Sequence, residues 1–99
     1  MQFMNQFLAT TPFDLYELTL FQLVAETGSF TRAAERAGLT QSAITRQISG
    51  MEGRLGVDLF ERTTRRVCLT RAGQLLQEKS KAILTAADDL LEEVQRTLG

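Results

Sequence analysis

The stretch from Ser29 to Arg66, SFTRAAERAGLTQSAITRQISGMEGRLGVDLFERTTRR, leaves the chain few ways to fold. Ala33, Ala34 and Ala37 make one face of a short helix small enough for a second helix to come close. Gly38 follows the last helical residue, where a left-handed cap costs least. Leu39 then fills the corner, and the Thr40 hydroxyl is placed to cap a second helix. That helix carries Ile44, Ile48, Met51 and Leu55 at spacings of four, three and four, the period of one buried helical face. Two helices joined by so tight a corner predict a helix-turn-helix.

The face opposite the apolar one has an unusual chemistry. At about 100° per residue, Ser42, Thr45, Arg46 and Ser49 point outward, with Gln41 near the leading end. A plain solvated helix favours Glu and Lys, and a merely polar face remains the bland alternative. Small hydroxyls, an amide and one arginine suit a helix that enters the DNA major groove. The Gln41 amide can pair with adenine N6 and N7, and the Arg46 fork with guanine O6 and N7. Ser42 and Thr45 can bond a base edge or a phosphate, and Ser49 a phosphate. Arg32 faces away from the alanine stripe, on the helix that crosses the DNA backbone in such motifs. Gly50 and Gly53 each lower helix propensity by about 1 kcal/mol. Their outward placement predicts a close backbone approach or a loosened helix end.

The flanking segments complete a small domain. Asp14 followed three residues later by Glu17 resembles a capping box, opening a helix to about Glu26 with Leu15, Leu18, Phe21 and Val24 on its core face. Ser29 is placed to cap the alanine helix, with Phe30 packed inward. Gly56 ends the second helix of the motif, and Leu59-Phe60 anchors the next element to the core. Residues 61–70 read as a two-stranded hairpin, a wing, with Thr63-Thr64-Arg65-Arg66 at or near its tip and Val67 and Leu69 pointing inward. Arg62, Arg65 and Arg66 put three cations on this short element. They suit phosphates or a narrow minor groove, where the potential is most negative; the alternative is a solvated basic loop.

Thr70 is placed to start a last helix to about Leu98, roughly 40 Å long at 1.5 Å per residue. Leu76, Ser80, Ile83, Ala87, Leu90, Val94 and Thr97 form one stripe, and Leu84, Leu91 and Leu98 a second. This apolar surface is wider than one small domain covers, which predicts pairing with a second copy. The expected dimer contacts are Leu76, Ile83, Leu84, Ala87, Leu90, Leu91, Val94 and Leu98. Residues 1–13 show no clear period and read as an extension, 14–69 as the winged domain and 70–99 as the linker helix.

Charge at first opposes a DNA partner, since the 99 residues sum to −1. Its distribution reverses that. Residues 1–28 hold three acids and no base, whereas 29–71 hold eight arginines against four acids. Phosphate attraction depends on the local field, screened over about 8–10 Å at physiological salt. The total then predicts low non-specific affinity. Other function classes are poorly supplied. There is no histidine and a single cysteine, Cys68, which removes most routes to metal binding or nucleophilic catalysis. A lone cysteine also suits a reducing cytoplasm. No apolar run reaches the roughly 18 residues of a membrane span. Neither enzyme activity nor a cofactor is expected.

From about Leu15 onward the chain resembles the N-terminal DNA-binding domain of LysR-type bacterial transcription regulators. The resemblance rests on FQLVAETGSFTRAA, LTQSAITRQISGME, RLGVDLF and LFERTTRRVCLTRAG, in that order. It implies a mainly α fold: a winged helix-turn-helix of three helices and a small two-stranded wing, then a long dimerising linker helix. It also implies that Gln41, Ser42, Thr45 and Arg46 face DNA, and that paired linker helices set two recognition helices on an imperfect palindrome. Arg62 and Arg65 match the family's FxRxxR wing pattern. A small-molecule effector is implied only for a larger domain that comes after the linker helix in family members, of which this sequence holds nothing. Two alternatives are another winged-helix family, such as the molybdate-responsive regulators, and a protein-interaction module built on the leucine stripe.

Overall fold

The computed structural model describes residues 11–63 and 66–98. Its elements run α1 (Leu15–Thr27), α2 (Phe30–Ala37), α3 (Gln41–Leu55), β1 (Phe60–Arg62), β2 (Val67–Leu69) and α4 (Arg71–Leu98). The fold is mainly α, three helices followed by a two-stranded wing and a long helix, as the sequence predicts. The tail apolar residues Phe3, Met4, Phe7 and Leu8, and Thr64, Arg65 and Gly99, lie outside the described residues.

Each helix starts where a side chain satisfies its otherwise unpaired amides. Asp14 accepts from the Glu17 amide at 2.8 Å while Glu17 accepts from the Asp14 amide at 3.2 Å, a complete capping box. Ser29, Thr40 and Thr70 accept the amides of Arg32, Ala43 and Gly73 at 3.1, 3.1 and 3.0 Å. Between α2 and α3, Gly38 adopts φ 70° and ψ 31°. The Leu39 amide then reaches back to the Ala34 carbonyl at 2.9 Å, which makes the corner sharp.

The core gathers on α1, which is packed by α2, α3 and α4. Leu18, Leu20, Phe21 and Val24 of α1 meet Ala33, Ala34, Ile44, Ile48 and Met51, with Leu59 and Phe60 closing the wing side. The Phe60 ring lies tilted against Phe21, centroids 5.2 Å apart, and edge-on to Phe30 at 5.7 Å. One expectation fails here. Leu15 is 49% exposed, and Leu20 is buried in its stead. Three neighbouring helices cover a wider arc of α1 than a single stripe, and Leu15, in its first turn, lies beyond them. Phe13, outside the domain boundary drawn from sequence, packs against this core.

In the wing, β1 and β2 pair antiparallel, with Phe60 opposite Leu69 and Arg62 opposite Val67. The first turn of α4 passes so close to it that a Cβ on Gly73 would lie 2.1 Å from the Leu59 carbonyl oxygen. Glycine is therefore required at that crossing. Beyond it, Leu76 and Leu84 are half-buried against the same core and Ser80 is fully buried. From Asp88 onward α4 is exposed on all sides.

Candidate nucleic-acid interface

Burying Ile44, Ile48 and Met51 completely turns the opposite face of α3 outward. Gln41, Ser42, Arg46 and Ser49 are exposed on it and Thr45 is half-buried. The Thr40 cap starts the helix one residue before Gln41, so that side chain stands at the leading end, where recognition helices meet base edges. Gly50 and Gly53 both lie inside α3, which runs unbroken to Leu55, so the helix end is not loosened. At Gly50 the missing side chain leaves room for Arg54, whose Nη1 would be 3.3 Å from a Cβ there.

Arg54 itself gave no functional signal in sequence, and the structure shows it as a tie. Its Nε donates to the Pro12 carbonyl at 2.8 Å and its Nη2 to the Glu17 carboxylate. The end of α3 is thereby bound to the start of α1. Arg32 is exposed on α2, in the turn capped by Ser29.

At the wing, the Thr63 amide donates to the Arg66 carbonyl and the Arg66 amide to the Thr63 hydroxyl, both at 3.0 Å. Arg66 is exposed beside this closure. With Thr63 it shares a hollow with Ser29, Thr31 and Gln41, so the wing and the leading end of α3 border one concavity. Arg65, expected to contact DNA, lies outside the described residues. Arg62 differs from Arg66: its guanidinium pairs with Glu52 at 2.8 Å and lies over the Phe30 ring, 5.0 Å from the centroid.

Arg32, Gln41, Ser42, Arg46, Ser49 and Arg66 are thus all exposed on the helix-turn-helix and wing, with Gln41 and Arg66 bordering one hollow, while the apolar part of α4 lies on a separate element. Residues 15–74 match the family model described as bacterial regulatory helix-turn-helix protein, lysR family. The chain belongs to the LysR family. One relative, an uncharacterized HTH-type transcriptional regulator in the ibpB-leuC intergenic region of Azotobacter vinelandii, is 46% identical over 86 residues, 87% of this chain and 57% of that protein. Among solved structures, the CbnR DNA-binding domain in complex with DNA is similar at TM-score 0.81 and 34% identity, covering 88% of this chain and all of that one. The BenM DNA-binding domain with benA site 1 DNA is similar at TM-score 0.84 and 31% identity, covering 88% and 98%. The chain spans between 26% and 57% of the length of the first curated relatives it matches.

Proposed function

We propose that this LysR-family chain is a sequence-specific DNA-binding unit of a transcription regulator, acting as a homodimer on an imperfect palindrome in a bacterial cytoplasm. The observation that carries the reading is the face of α3: exposed Gln41, Ser42, Arg46 and Ser49 opposite a row of fully buried apolar residues. Gln41 and Arg46 read base edges, Ser42 and Thr45 a base edge or phosphate, and Ser49 and Arg32 hold phosphates. Wing cations Arg65 and Arg66 reach the adjacent backbone or minor groove. The roles are non-catalytic and need no cofactor.

Dimerisation fits the distal linker helix. Ile83, Leu90, Leu91, Val94 and Leu98 are exposed, and with Ala87 they give a second copy an apolar face to cover. Leu76 and Leu84 are half-buried against their own domain, and the more distal residues offer the larger share of exposed apolar area. Residues 14–69 serve recognition and 70–99 pairing. A small-molecule effector belongs to a further domain of family members.

The test is a selection of genomic fragments by the purified chain, with binding followed against salt. We expect an interrupted inverted repeat to be enriched, and Arg46→Ala or Gln41→Ala to cost about 1–3 kcal/mol of discrimination at its base pair. A steep salt slope with no enriched sequence would leave only phosphate attraction. A folded dimer that binds no DNA at low salt would overturn the reading.

A further inference from the structure

One carboxylate and one guanidinium together link three elements. Glu52, in the last part of α3, has a side chain only 11% exposed. Its Oε2 accepts the amides of Leu59 and Phe60, at 2.8 and 3.3 Å, at the point where the chain enters the wing. Its Oε1 accepts from Arg62 Nη2 at 2.8 Å. The same guanidinium covers the ring of Phe30, the first residue of α2. A planar fork that is ion-paired on one side and stacked on an aromatic ring on the other loses little freedom by being held there. Arg62 also ends β1, at the last ladder pair before the turn. The residue that ends the ladder is thus tied directly to α3.

We propose that Glu52 and Arg62 form a positioning clamp that sets the wing against the recognition helix, with Arg62 acting through the wing and not as a phosphate contact. This rests on the DNA-binding reading and divides the wing cations: Arg62 at the base orients, and Arg66 at the turn touches DNA. The sign of one substitution separates the two roles for Arg62. Removing an acid beside a polyanion tightens binding by simple electrostatics. Removing an acid that holds the wing in place weakens it.

The experiment measures affinity against salt for the duplex recovered by genomic selection, using the wild-type chain, Glu52→Gln, Arg62→Gln and the double variant. The clamp predicts that each single substitution weakens specific binding by about tenfold and that the double is no worse than either, because coupled sites are non-additive. Glu52→Gln binding as tightly as wild type or tighter, with Arg62→Gln lowering the salt slope by about 1, would overturn it. Should Glu52→Gln fail to fold, Arg62→Met decides the matter by amide exchange. It keeps an apolar stem over Phe30 but has no charge. The clamp predicts exchange at Thr63 about tenfold faster or more; weaker binding with unchanged exchange would overturn it. A wild-type chain that binds no DNA would overturn the underlying reading, whereas a wild type that binds while Glu52→Gln binds equally well would overturn the clamp alone.

Discussion

Gly73 shows how much a single atom can decide. Any side chain there would drive its Cβ into the Leu59 carbonyl, and it would also meet Leu69 Cδ2 at 3.0 Å. We expect Gly73→Ala to cost about 2–4 kcal/mol, beyond the usual overpacking penalty, because the obstacle is backbone. Urea denaturation measures this, and a variant within about 0.5 kcal/mol of wild type, the level of a neutral surface change, would refute the crossing. Nothing in LTRAG read as sequence distinguishes a tightly packed glycine from a tolerated one. The outward placement of Gln41, Ser42 and Arg46 was legible at this scale because the apolar period of α3 fixes the opposite face. Glu52 and Arg62 were not, since a Glu and an Arg ten residues apart look like ordinary surface charges until the wing folds back.

At the scale of elements, the contact between α1 and α4 holds a buried polar pair, Gln22 and Ser80. Gln22 Nε2 donates to the Gln77 carbonyl at 2.9 Å and to the Ser80 hydroxyl, while Gln22 Oε1 is buried without a partner among the described residues. A buried orphan acceptor is costly, and replacing both partners with apolar groups removes that cost. We therefore expect Gln22→Leu with Ser80→Ala to be neutral or stabilising, by up to about 1 kcal/mol. Gln22→Ala alone should destabilise by about 1–3 kcal/mol. Thermal unfolding of both variants checks the contrast, which vanishes if the pair is solvated. The N-terminal caps behave more simply: Asp14→Ala should cost about 1 kcal/mol, read by the same denaturation. Those caps were evident from residue type and spacing alone, since a cap acts over three residues of one chain.

Across the whole molecule, α4 is 28 residues long, and the chain spans 49 Å along its longest axis. Its distal half exposes Leu90, Leu91, Val94 and Leu98, at 59, 58, 49 and 83%. An exposed row of this kind on a protruding helix is stable when a second copy covers it. We expect Leu91→Asp with Val94→Asp to give a monomer in sedimentation while the winged domain keeps its helical signal. Wild-type unfolding temperature should rise with concentration, and concentration-independent unfolding of the wild type would count against the dimer. Charge acts at this scale as well, with eight arginines clustered in residues 29–71 of a chain whose sum is −1. No described helix is long and apolar enough to cross a membrane.

Local order was determined by the sequence alone. Helix starts at Asp14, Ser29, Thr40 and Thr70, the Gly38 corner, and the polar face of α3 all arise from side-chain chemistry within one or two turns. Only the tertiary structure decided which of the charged and apolar residues are available. Leu15 became surface and Leu20 core, Leu76 and Leu84 were taken up by their own domain, and Arg54 and Arg62 were drawn into ties between elements. The physical reason is the range of the interactions. Capping and periodicity act between residues a few positions apart, whereas ion pairing, ring stacking and burial depend on which distant elements arrive beside them.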